Sequence, residues 1–179
     1  MYRLIAKTWL VLLLICVQAT AQQYGIIPGR SIGLIEIGMS RQTVHSKLGR
    51  PSGTYNLPGR GYRGDYWFSR DNSNTLRIFY DRNGRVYQIS ATSISFSTPE
   101  GITTSSSLVE VKRQHPNLQV LRMSKRGDID YYYDRRRGVA FEFTERLKDD
   151  GSVMRMHAIL VFKPGGQPQP EPDELVRED

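Results

Sequence analysis

The sequence predicts an α+β fold: two tandem helix-plus-antiparallel-sheet repeats forming one curved sheet with short helices on one face. Three observations predict it. Residues 38–51 read as one complete short helix, and residues 107–116 read as a second. Each is followed by β-prone runs separated by turn residues. Placing Ser107 on Ser40 also places Val111 on Val44, His115 on Leu48 and the Gly151 turn on the Gly84 turn, which is the pattern of an internal repeat.

Residues 1–21 read as a signal peptide. Arg3 and Lys7 supply a positive start, residues 9–17 an apolar run, and Ala19-Thr20-Ala21 the small-x-small pattern that a signal peptidase reads. The run is shorter than the roughly 20 apolar residues of a transmembrane helix, so the mature form is expected not to span a membrane. Ile15 is too bulky for a lipoprotein cleavage site before Cys16. Cleavage after Ala21 removes the single cysteine and with it any disulfide or thiolate chemistry. The expected location is therefore secreted or periplasmic, in a bacterial cell.

The rest divides into a first repeat at 22–98, a second at 99–163 and an acidic, Pro-rich, disordered tail at 164–179. The formal net charge is +7, and the acidic tail leaves the part before it more basic still. Such a surface suits solubility first, and secondly attraction to an anionic envelope surface. No nucleic-acid motif is present, and an exported chain would not meet nucleic acid.

In the first repeat, Ser40 is the N-cap, Val44 and Leu48 share the apolar stripe, and Gly49 with Pro51 ends the helix. Strands are expected at 65–69, 76–80 and 85–93, with Asn83-Gly84 as a hairpin turn and 55–64 as a long loop. In the second repeat, Ser107 and Glu110 form a capping box, and His115 with Pro116 closes the helix, where a positive ring suits the helix dipole. Strands at 128–133, 139–144 and 153–162 follow.

The strings Gly38-Met39-Ser40, Val44, Leu48-Gly49 and Pro51, the aromatic run Tyr66-Trp67-Phe68, and Leu76-Arg77-Ile78-Phe79-Tyr80-Asp81 with Gly84 and Val86 resemble the BamE/SmpA/OmlA unit of small outer-membrane proteins. Two such units in one exported chain are similar in plan to the beta-lactamase inhibitory proteins. The resemblance covers residues 32–93 closely and 101–162 loosely. It implies helices on one sheet face and protein binding on the other. The second unit departs from it, with Ser106 in place of the methionine and His115-Pro116 in place of Leu-Gly-x-Pro.

No catalytic signature is legible. His45, His115 and His157 sit in three separate elements without metal-ligand spacing, so neither metal nor cofactor is expected. Ser105-Ser106-Ser107 lacks a nucleophile elbow and is explained by capping. Alternation turns Val139, Phe141 and Phe143 toward the helices and Ala140, Glu142 and Thr144 away. It likewise turns Phe79, Arg155 and His157 outward. Exposed aromatic and Arg side chains are the composition of protein-interface hot spots. The expected function is a non-enzymatic protein-binding module using the solvent face of its sheet, with Trp67, Phe79, Tyr132, Arg155 and His157 as partner-binding residues. The identity of the protein partner is not carried by the sequence. Two alternatives stand beside it: a cell-envelope (outer-membrane) assembly component, and an exported hydrolase built on Asp128, Asp130, Glu142 and His157.

Overall fold

Two short capped helices and a succession of strands form as their local chemistry dictates. The computed structural model describes residues 25–57, 62–68, 75–122, 129–148 and 151–169. The expected leader at 1–21, Cys16, Asp128 and the last ten residues lie outside these. In α1 (Arg41–Leu48), the Ser40 hydroxyl accepts the Thr43 N–H at 3.1 Å, and Gly49 N–H bonds back to the His45 carbonyl. In α2 (Leu108–Gln114), Ser107 and Glu110 make the reciprocal capping box. The Ser107 bonds hold the Glu110 carboxyl below its ordinary range.

Three two-residue strands, β1 (Ile26–Ile27), β2 (Ser31–Ile32) and β3 (Ile35–Glu36), form a small antiparallel meander. The remaining strands are β4 (Gly53–Leu57), β5 (Tyr62–Phe68), β6 (Thr75–Tyr80), β7 (Val86–Ala91), β8 (Gln119–Arg122), β9 (Ile129–Asp134), β10 (Val139–Lys148) and β11 (Gly151–Phe162). They make one eight-stranded antiparallel sheet in the order β4-β5-β6-β7-β11-β10-β9-β8. The β6–β7 turn is tight because Asp81 Oδ1 accepts the N–H groups of Asn83 and Arg85, and Gly84 takes φ +68°.

This architecture corrects the α+β expectation of two tandem helix-plus-sheet repeats. Among the described residues the molecule is mostly β, one large sheet plus a small one, with 49% strand and 13% helix. The physical reason lies in how little the helices bury. Each has a single buried side chain, Val44 in α1 and Val111 in α2. Helices that short cannot define layers of their own. Segments without a clear alternating pattern, 53–57 and 119–122, are instead recruited as the two edge strands of the sheet.

The main core lies between one sheet face, the helices and the meander. It brings Ile78, Ile89, Phe141, Phe143, Ile159 and Val161 against Val44, Val111, Ile26 and Ile35. The opposite face is also apolar. Tyr131, Tyr133, Leu160 and Phe162 cluster over one half and Tyr55, Tyr66 and Phe79 over the other. Between Glu142 and Phe143 the register of β10 on β11 shifts: Glu142 pairs Ala158 whereas Phe143 pairs Met156. His157 is thus the extra residue of a β-bulge. Met156 packs in the main core, and Ala158 packs on the opposite face. Alternation read straight through β11 had placed those two on the same side.

Candidate functional site: a groove at the open edge of β11

Strand β11 is longer than its neighbours allow it to be paired. On one side β10 accompanies it from Gly151 to Val161. On the other, β7 pairs only Ile159 to Phe162. Among the described residues nothing pairs with β11 on that side before Ile159. The loop that leads into α2 runs alongside and leaves a groove of about 520 Å³, lined by Thr104, Ser105, Ser106, Ser107, Thr144 and residues 154–157. A sheet face would present only alternate residues to a groove. Here four consecutive residues, Met154, Arg155, Met156 and His157, contribute together with Thr144 of β10, so the groove runs along the stretch of β11 where the bulge at His157 breaks the alternation and β7 has not yet joined.

The wall opposite the strand is polar and held in place by its own bonds. Thr104 Oγ1 donates to the Thr92 carbonyl at 3.2 Å, Ser106 Oγ accepts the Thr103 N–H at 3.2 Å, and Ser105 and Thr103 hydroxyls bond at 2.7 Å. On the strand side Arg155 and His157 are exposed, and Val153, just before them on β11, is an exposed apolar neighbour. A fixed hydroxyl-bearing wall facing a strand edge with a cation suits an extended, polar or acidic chain.

The five residues singled out from sequence do not share one surface. Arg155 and His157 come together in the groove. Trp67 is half-buried on the helix face, where its Nε1 donates to the Gly49 carbonyl at 3.4 Å and its ring meets His45 edge-on. Tyr132 is on the helix face too, edge-on to Phe143 and beneath the Lys112 ammonium. Burial, and then the Asp130 charge, push its phenol pKa up. Phe79 faces away from the helices as alternation required, but it is 1% exposed and packed on Tyr55. It is not available to a partner. The opposite face is covered apolar surface there, because Tyr55 and Tyr66 close over it.

Two further polar clusters were not legible in the sequence. Asp65, fully buried on β5, accepts from Arg41 at 2.9 and 2.6 Å and contacts His45 Nε2 at 2.6 Å. Arg41 also lies over the Tyr80 ring. Burial, and then Asp65, push the Tyr80 phenol pKa up. At α2, Arg137 bonds Glu100 at 2.6 Å and the buried His115 Nδ1 at 3.3 Å. Burial, and then Arg137, lower the His115 pKa, so the ring is held neutral and does not carry the charge expected at the helix end. Spacing of 20 to 37 residues hides both clusters from any local pattern.

Of the carboxylates in the hydrolase alternative, Asp128 lies outside the described residues, and the described two, Asp130 and Glu142, each have partners. Asp130 pairs Arg122 at 3.8 Å. Glu142 is 3% exposed, with a hydrogen bond from Tyr131, and burial raises its pKa against the opposing charges of His157 and Arg77. Among the described residues no group of three or more His, Cys, Asp or Glu is placed to hold a metal ion. None of the described helices is long and apolar enough to cross a membrane.

No protein-family model and no curated protein matches the chain. Two solved structures share its fold. One is the protein yfeY of Escherichia coli, 14% identical, with a TM-score of 0.52 over 79% of this chain and 97% of that one. The other is a DUF4309 family protein, YjgB, of Bacillus subtilis, 15% identical, with a TM-score of 0.50 over 75% and 88%. What the chain shares with these two bacterial proteins is its fold.

Proposed function

We propose that this chain is an exported, non-enzymatic protein-binding module that takes an extended segment of its partner along the open edge of β11. The observation that carries the reading is the groove lined by four consecutive residues of one strand. A strand edge with its backbone groups unpaired is a template for strand addition, in which main-chain hydrogen bonds give affinity and flanking side chains give specificity. Arg155 and His157 supply that specificity, and the Thr104–Ser107 wall fixes the width. The leader-like residues 1–21 support export.

The test is selection of linear peptides by the purified protein, followed by mapping on its amide NMR spectrum. Selected peptides are expected to shift the amides of 153–157 and 104–107. Arg155→Ala and His157→Ala should each weaken them about tenfold, or about 1.4 kcal/mol, while Trp67→Ala leaves binding unchanged. Shifts confined to another surface, or no selected peptide at all, would overturn the proposal.

A further inference from the structure

Beyond β11 the chain doubles back over the sheet face that lies away from the helices. It turns at Pro164-Gly165-Gly166, where Arg135 Nε donates to the Gly165 carbonyl at 2.7 Å and the Gly165 N–H donates to the Arg135 carbonyl at 2.8 Å. Residues 164–169, expected from the sequence to begin a disordered tail, are laid down as a strap. The strap is gripped on either side of Pro168. The Tyr87 hydroxyl donates to the Gln167 carbonyl at 3.1 Å and accepts from Gln169 Nε2 at 3.5 Å. Gln88 Oε1 accepts the Gln169 N–H at 2.7 Å, and Gln88 Nε2 donates to the Gln169 carbonyl at 2.9 Å.

The seat has the construction of a peptide site. Gln88 is 0% exposed, and its side-chain amide meets both backbone groups of one residue, as a neighbouring strand would. Its cross-strand partners are Phe79 on β6 and Phe162 on β11, both buried on the same face. A Cβ added to Gly166 would stand 3.6 Å from the Phe162 ring, so the strap passes over that aromatic. Pro168 is buried. Main-chain hydrogen bonds on either side of a buried proline, with an aromatic ring alongside, suit an extended proline-containing segment, which is stiff before it binds and loses little entropy. The strap itself is lightly held, for Lys163, Pro164, Gly165 and Gln167 are exposed. Strand β7 keeps its place without it, paired by β6 from Val86 to Ala91 and by β11 from Gln88 to Ala91.

We propose that Tyr87 and Gln88 form a second binding site, for an extended proline-containing segment of a partner protein, and that residues 164–169 fill it as a built-in competitor. The ligand it takes has the chemistry of the strap: a buried proline, a carbonyl before it for Tyr87, and a residue after it whose N–H and carbonyl both meet Gln88. A tethered competitor acts at an effective concentration on the order of millimolar, so a partner must displace the strap to enter. The site lies on other residues than the groove at β11 and does not rest on it.

The test uses the full chain, as wild type and as Pro168→Asp, which puts a carboxylate where the proline is buried and so releases the strap. The probe is the synthetic hexapeptide Pro-Gly-Gly-Gln-Pro-Gln, titrated into each protein and followed on the backbone amides of Tyr87 and Gln88 and on the Gln88 side-chain amide. Pro168→Asp should keep the Phe141 and Phe143 amides where the wild type has them. It should bind the peptide at least about tenfold more tightly than the wild type, because the competitor is gone. Adding Gln88→Leu should abolish that binding. Equal affinity of wild type and Pro168→Asp, or binding that survives Gln88→Leu, would overturn the proposal. So would a folded Pro168→Asp that ignores the peptide. Loss of the Phe141 and Phe143 signals in Pro168→Asp would overturn it too, since the strap would then be part of the fold and not a displaceable occupant.

Discussion

Arg41 grips Asp65 with two parallel hydrogen bonds, 2.9 and 2.6 Å long, and Asp65 is completely buried. The pair ties α1 to β5, and His45, one turn further along α1, contacts the same carboxylate. Removing one partner of such a pair strands a charge in the interior, which costs about 3–5 kcal/mol when the site is closed. The side chain of Arg41 is about one-third exposed, so the low end applies. Arg41→Met is expected to lower the unfolding free energy by about 3 kcal/mol. The double variant Arg41→Met with Asp65→Leu should lose less than the two single changes added together. Urea unfolding of the three variants checks it, and additive losses would contradict the coupling.

Burial raises the Glu142 pKa above its ordinary 4.5. As pH climbs past that value the unfolded chain gives up its proton first and the native state keeps it. Stability therefore falls with rising pH until the folded group also ionises. Glu142→Gln removes the ionisation. It should leave stability unchanged at pH 4 and raise it at pH 8, by about 1.4 kcal/mol for each unit of upward shift. His115 works in the other window. Its lowered pKa means that its contribution is present above the ordinary 6.5 and is lost as pH falls through the folded value. Urea midpoints at pH 4, 6 and 8 for wild type, Glu142→Gln and His115→Gln separate the two.

Across β4 and β5, Gly53 faces Tyr66 and Gly64 faces Tyr55. Each glycine has the opposing ring lying where a Cβ would stand. Gly64→Ala is expected to cost roughly 1–3 kcal/mol, because the Tyr55 ring, 1% exposed, has nowhere to move. The penalty should shrink when Tyr55→Leu accompanies it. Thermal melts of the double-mutant cycle are the measurement.

Val44 and Val111 are both 0% exposed, and each is the one buried residue of its helix. Val44→Asp and Val111→Asp should each cost several kcal/mol. Val109, on α2 but 78% exposed, supplies the contrast: Val109→Asp is expected to stay within about 0.5 kcal/mol. Urea melts in which Val111→Asp and Val109→Asp behave alike would show that α2 does not dock through Val111.

What the sequence disclosed was local. Both caps, the Asn83-Gly84 turn and the inward set Val139, Phe141 and Phe143 follow from side-chain period and turn chemistry within a few residues. Strand β4 was hidden because Gly53 and Asn56 spoil its β pattern, and the contact that seats it, its own Tyr55 stacked on Tyr66 of β5, lies outside its sequence window. The side of Ala158 was misread because a one-residue bulge cannot be seen without knowing the partner strand. Arg155 and His157 were legible as outward side chains. The groove they line was not, since it exists only where β7 parts from β11. The Asp65 centre joins residues 20 and 24 apart, beyond the reach of any periodicity.

The strand order has a consequence for biosynthesis. The last strand to be made, β11, is not at the rim of the sheet but in its middle, joined to β7 on one side and β10 on the other. While the chain is being produced, β4 to β7 can pair with one another but must wait, with Ile89 and Ala91 at an unfinished border, for a partner that emerges last. Such long-range closure is slow, and the waiting edge is prone to pair with the wrong chain. A premature stop after Gln169 leaves every described strand in place and keeps the bonds that Gln169 makes to the buried Gln88. One that falls inside β11 splits the sheet in two, so tolerance of shortened chains should fall once 163–169 are lost and end inside β11.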